Sequence, residues 1–140
     1  MNSSRNYGPM NRPLGVTAIS IFFAFGALMA ALSTTMLLFP GSGLDSLWKL
    51  NPHAKEGLPA LGVAGVILMA MVCAACAAAA TGLWRCRRWG LWLAVAILVV
   101  NLGGDLGNAV FLRDRRTLLG LPIGGVLIGY LIVRRNVFTR

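Results

Sequence analysis

The sequence predicts an all-α integral membrane protein: a bundle of four transmembrane helices with both termini in the cytoplasm. Three observations predict it. Pro13–Leu44, Gly57–Trp84 and Thr117–Val133 carry no charge, and Trp89–Leu112 carries only Asp105. Only 12% of the residues are charged and 57% are hydrophobic, whereas soluble domains are about 25% charged. The basic residues sit at the ends of the apolar runs, where they would meet lipid headgroups. Continuous apolar runs, rather than short alternating stretches, select helices over a barrel.

A span needs roughly 20 apolar residues to cross about 30 Å of hydrocarbon. The first predicted helix covers about residues 14–39 and is closed by Pro40 and Gly41. Arg5 and Arg12 precede it, and Ala24-Phe25-Gly26 resembles a cleavage site. The apolar run continues well beyond that point, so an uncleaved anchor is preferred to a signal peptide. The loop from about Pro40 to Leu58 holds Asp45, Lys49, Lys55 and Glu56, net zero. Within it, Leu44, Leu47, Trp48 and Leu50 predict a short amphipathic stretch with Trp48 as an interfacial anchor.

The second helix is predicted over 59–84, with Pro59 in its first turn. Arg85, Arg87 and Arg88 form a basic turn flanked by Trp84, Trp89 and Trp92, an aromatic belt. The third helix is predicted over 89–112 and the fourth over 117–133, with Pro122 near the start of the fourth. Residues 13–135 then form one membrane domain between a cytoplasmic N-terminal tail, residues 1–12, and a cytoplasmic tail, residues 136–140. An inside N-terminus puts Arg5, Arg12, Arg85, Arg87, Arg88, Arg134, Arg135 and Arg140 in the cytoplasm. Lys49, Lys55, Arg113, Arg115 and Arg116 are left outside. That bias sets the predicted orientation.

The net charge of +9 does not point to nucleic acid. The arginines are spread over loop ends, and no single element carries a basic stripe interleaved with aromatics. The predicted partners are the lipid bilayer and, through small-residue faces, a second copy or another membrane protein. Ala70, Ala74, Ala78 and Gly82 recur every fourth residue, as do Gly103 and Gly107, Gly120 and Gly124, and Gly125 and Gly129. Such spacing lets helices approach closely where lipid gives no hydrophobic drive to associate. Packing within one bundle is the simpler use of these stripes, and an interface is the sharper one.

Asp105 is the only acidic residue in a predicted span, with Asn101 and Asn108 on its helix face. Ser33, Thr34 and Thr35 stand at a matching depth of the first helix. The preferred reading is a hydrogen-bonded polar cluster of these six residues, with Arg113 or Arg116 able to fold back to the acid. The alternative is a proton or ion relay in an oligomeric transporter centred on Asp105. Cys73 and Cys76 form a C-x-x-C, the spacing a thiol redox protein could use. They lie in an Ala-rich run with no second cysteine pair, so small packing residues are the preferred reading. The single histidine, His53, has no second histidine to work with and reads as a solvated loop residue. No nucleophile triad, phosphate loop or metal-ligand spacing is present, so the sequence predicts a non-catalytic protein without cofactor or metal.

Several motifs resemble one pattern: Arg12-Pro13-Leu14-Gly15-Val16-Thr17, Gly82-Leu83-Trp84-Arg85 with Arg88-Trp89-Gly90, and Gly104-Asp105-Leu106 with Asn108. Arg116-Thr117-Leu118 with Gly120, and Leu121-Pro122-Ile123-Gly124, belong to it as well. The pattern is similar to that of small uncharacterised four-helix bacterial inner-membrane proteins and covers most of residues 12–135. The resemblance implies a multi-pass fold in a bacterial inner membrane and no particular activity.

Overall fold

A computed structural model of the chain describes residues 13–50, 52–111 and 120–138; for Asp45, Leu50, residues 52–54, Asn108 and Phe111 it describes the backbone alone. The two tails' outer residues and Arg113, Arg115 and Arg116 lie outside the described residues, as do the side chains of His53 and Asn108. The regular elements are all helical: α1 (Leu14–Leu38), a 3-10 helix (Gly43–Leu50), α2 (Pro52–Ala60), α3 (Val63–Trp84), α4 (Arg88–Phe111), α5 (Gly120–Val133) and a 3-10 turn (Arg135–Val137).

Helix α1 starts where Pro13 removes a donor that a helix could not have used, and the Pro13 carbonyl accepts from Val16 N–H at 2.9 Å. It stops one residue before Phe39, whose N–H closes on the Thr35 carbonyl at 3.0 Å. Pro40 follows and disfavours helix at the residue before it.

The second predicted helix needs correction at its start. Pro59 does not open a spanning helix; it lies in the last turn of the separate helix α2. Leu61 and Gly62 donate to the Leu58 and Pro59 carbonyls, and Gly62 takes a positive φ of 54°. With φ 54° and ψ −129°, a conformation that glycine adopts readily and L side chains rarely do, Gly62 breaks the helix, and α3 begins only at Val63. Trp48 differs too. It is only 7% exposed, because the loop folds back over the ends of α1 and α3 and carries the indole inward. An anchor at the interface would stand out from the bundle.

Helices α3 and α4 are joined by a tight turn with a recognisable hydrogen-bond pattern. Cys86 N–H donates to the Leu83 carbonyl at 3.0 Å and Arg87 N–H to the Gly82 carbonyl at 2.9 Å. This is a Schellman closure with its left-handed position at Cys86, φ 50°, where glycine is usual.

The packing order is α1 on α3, α3 on α4, and α4 on α5. Each pair is antiparallel. Ser20 meets Ala80 and Gly26 faces Cys76; Gly82 abuts Gly90; Leu102 faces Gly124 and Asp105 faces Gly120. The start of α1, the α3–α4 turn and the end of α5 therefore share one end of the bundle. Two contacts tie that end together: Tyr130 lies over Gly15, and Arg88 Nε donates to the Phe138 carbonyl at 3.1 Å. The main core gathers in the same half, from Val16, Ile19 and Phe23, through Ala79, Leu83, Leu91, Ala94 and Leu98, to Leu131 and Phe138.

Outside this core the helices present Phe22, Phe25, Met71, Trp92, Val100, Val110 and Val126, all more than half exposed. Three helices are long and apolar enough to cross a membrane: Leu14–Leu38, Val63–Trp84 and Arg88–Gly107. Those helices, apolar on their outer faces too, mark the chain as a membrane protein. The described part of the fourth, Gly120–Val133, has 14 residues. It rises about 21 Å, short of the hydrocarbon thickness. Thr117–Leu119, which the sequence assigns to that span, lie outside the described residues.

Candidate functional site

Asp105 sits on α4, half-buried, with its carboxylate against Gly120 at the start of α5. Any side chain at position 120 would collide with it, so the missing Cβ makes room for the acid between the two helices. This half of the bundle is the less densely buried one: Gly65, Ala30, Met36, Trp48 and Gly124 are its buried residues among those described.

Of the other members of the predicted polar cluster, the Asn108 side chain lies outside the described residues, and none of the four described side chains hydrogen-bonds to Asp105. The Ser33, Thr34 and Thr35 hydroxyls each donate to the carbonyl four residues back, those of Met29, Ala30 and Ala31, at 3.0, 2.8 and 2.9 Å. Their polar groups are satisfied within α1, as hydroxyls in apolar helices commonly are. No hydrogen bond joins them to Asp105 among the described residues. Asn101 is one turn from Asp105 on α4, yet its side chain is exposed and rims a crevice of about 230 Å³ between α3 and α4. Val72, Ala75, Cys76, Ala96, Ile97 and Val100 supply the rest of that crevice's wall.

The small residues divide sharply. Gly82 packs directly against the Gly90 backbone, Gly120 against Asp105 and Gly124 against Leu102. Gly103, Gly107, Gly125 and Gly129 meet nothing, and Ala70 and Ala74 are exposed while Ala78 is half-buried. Helix α3 buries a neighbouring stripe instead, through Cys76, Ala79, Ala80 and Leu83. The glycines that take the closest helix contacts include Gly15 and Gly90, which spacing alone does not pick out. Cys76 is buried with its sulfur towards Gly26, so it fills space between α1 and α3; Cys73 is half-buried, and both thiols are free.

One interhelical hydrogen bond is not evident from the sequence. Ser20 is 3% exposed, and its hydroxyl donates to the Ala80 carbonyl at 2.7 Å, across the α1–α3 interface. A signal existed: Ser20 stands among Val16, Ile19 and Phe23 on one helix face. Interhelical hydrogen bonds in membranes average about 0.6 kcal/mol, with a maximum of about 1.7. Ser20→Ala should therefore lower stability in detergent by about 0.5–1.5 kcal/mol, read from the unfolding midpoint. A larger loss would mean that the serine supports more than this one contact.

Near the far end of the bundle, Met36, Leu38, Trp48, Lys55, Pro59 and Val66 help to line a groove of about 490 Å³. Among the described residues, no three His, Cys, Asp or Glu side chains gather as a metal site would require. Comparisons with family models, curated proteins and solved structures return no significant match. The resemblance noted above thus rests on the quoted residues alone.

Proposed function

We propose that the chain is a multi-pass bundle of four spans with both termini in the cytoplasm of a bacterial cell, held in the inner membrane. It acts without catalysis, through helix contacts with a second copy or a partner membrane protein. The orientation is supported by the bundle's polarity. Arg85, Arg87, Arg88, Arg134 and Arg135 stand at one end, with the start of α1. The described basic residues Lys49 and Lys55 belong to the opposite end. Positive residues collect on the cytoplasmic side.

Asn101 carries the functional reading. It lies about 20 Å along α4 from Arg88, near the middle of the helix. Its amide is exposed and makes no hydrogen bond to any described side chain. Lipid tails cannot satisfy an amide, whereas a neighbouring helix can. Gly103, Gly104 and Gly107 leave open space on the same stretch of α4, so a second helix could approach closely.

Chemical cross-linking and sedimentation in mild detergent test this. The wild-type chain should form dimers or larger assemblies. Asn101→Leu should weaken association about 5–30-fold, the equivalent of about 1–2 kcal/mol. A wild-type chain that stays monomeric at every concentration would end the second copy as the contact that Asn101 serves.

A further inference from the structure

We propose that the cavity between the start of α4 and the 3-10 turn after α5, formed by Arg88, Leu91, Trp92, Arg135 and Asn136, binds the phosphate of an anionic phospholipid. The cavity has a volume of about 340 Å³, within the range of small-ligand sites. Its composition is divided. Arg88, Arg135 and Asn136 bring hydrogen-bond donors, two of them cationic; Leu91 and Trp92 bring an apolar wall.

Each side chain has a local reason to be there. Arg88, Leu91 and Trp92 are spaced i, i+3 and i+4, so they share one face of α4. Arg88 uses Nε–H on the Phe138 carbonyl at 3.1 Å, which restrains the guanidinium beside the cavity that it lines and leaves its Nη donors for a ligand. A planar guanidinium so held suits a phosphate, which it can grip with two parallel hydrogen bonds. Arg135 arrives from the other element, carried by the turn that follows α5. The two cations thus converge from parts of the chain about 50 residues apart, tied by that one backbone contact. Arg88 is also the first residue of α4, whose free N–H groups at this end favour an anion.

No described carboxylate side chain competes. Among the described acidic side chains, Asp105 stands 17 residues further along α4, about 25 Å away, and Glu56 belongs to α2 at the opposite end. The apolar wall decides between a lipid and a free anion. Leu91 is 4% exposed and floors the cavity, while Trp92, 62% exposed, extends outward along the face that an acyl chain would follow. Free phosphate would have no use for that surface. Basic pockets beside spanning helices at the cytoplasmic face take anionic headgroups by the same combination. The inference rests on the proposed membrane residence, with this end at the headgroup level.

Native mass spectrometry of the full chain in detergent, with equal phosphatidylglycerol and phosphatidylcholine, tests it. The wild-type chain should retain phosphatidylglycerol at least fivefold over phosphatidylcholine. The double variant R88Q/R135Q should bring that ratio below two. R85Q/R87Q removes the same charge from the same end without touching the cavity, and should keep the preference. R135Q alone breaks no side-chain hydrogen bond or ion pair among the described residues. It should lower the ratio at least twofold with helicity unchanged by circular dichroism, so misfolding of R88Q cannot decide the result. Equal retention of the two lipids by the wild type would overturn the proposal. So would an equal loss in R85Q/R87Q, which would make the effect general surface charge. Displacement of the lipid by inorganic phosphate at the lipid's own concentration would also overturn it, because the site would then be one for a free anion. Retention of the wild-type chain in membranes after an alkaline wash reads membrane residence separately, so the two failures are distinguishable.

Discussion

Replacing Gly82 by leucine should prise α3 from α4 and lower stability in detergent by more than about 3 kcal/mol, the upper end of the usual range for overpacking. An added Cβ at this position would stand 2.5 Å from the Gly90 Cα, 3.1 Å from the Trp89 ring and 3.2 Å from the Gly90 nitrogen. Two of these three obstacles are backbone and cannot rotate away. The clash also lies one residue from Leu83, which is fully buried, so a shift of α4 would open the core as well as the turn. Gly82→Ala should already cost about 1–3 kcal/mol.

Two other glycines calibrate the result. At Gly124 the obstacle is the tip of Leu102, a flexible side chain, and alanine there should cost less than about 1 kcal/mol. At Gly125 nothing lies within 4 Å, and alanine should be neutral or gain up to about 1 kcal/mol from helix propensity. Thermal or denaturant unfolding of the three alanine variants orders them. If Gly82→Ala and Gly125→Ala proved equally stable, the close crossing of α3 and α4 would be wrong.

The turn that follows makes the second large effect. Cys86 holds φ 50°, a left-handed conformation that costs an L residue roughly 1–2 kcal/mol. Its side chain is 8% exposed and belongs to the core, so the strain is accepted for a packed thiol. Cys86→Val puts a β-branched residue where the backbone excludes one, and should lose about 2–3 kcal/mol. Cys86→Gly removes the strain and the buried sulfur together, and the two should offset to within about 1 kcal/mol. The opposed pair is the test: a valine variant as stable as wild type would show that residue 86 does not occupy the left-handed region.

How far could these positions be read in advance? Gly82 is visible in the sequence as the last member of the Ala70–Ala74–Ala78–Gly82 stripe. Its partner Gly90 is not, because it comes from the next helix and its contact depends on the register of the turn. The Arg85–Arg88 segment is legible as a basic turn from its charges. That its left-handed residue is a cysteine is not legible, since the usual sign is a glycine. Pro59 misleads for a related reason: proline favours the first turn of a helix, but Gly62, three residues on, supplies the stronger stop and splits the element. Asp105 is found at once as an acid in an apolar run. Its direction towards Gly120, away from Ser33, Thr34 and Thr35, follows from packing, and the three hydroxyls can satisfy themselves on their own helix without leaving a trace in the pattern.

Charge-free runs, the arginines at their ends and the punctuation by Pro40 and Gly41 by themselves determined the medium, the helical class and three of the long elements. The inward faces, the partners of individual glycines, the buried Trp48, the Ser20–Ala80 bond and the meeting of Arg88 with Arg135 were decided only in three dimensions. The reason is physical. Lipid and protein interior are almost equally apolar, so these helices are hydrophobic all round and carry little amphipathic signal to tell a buried face from an exposed one. Shape and a few hydrogen bonds make that choice, and both depend on residues far apart in the chain.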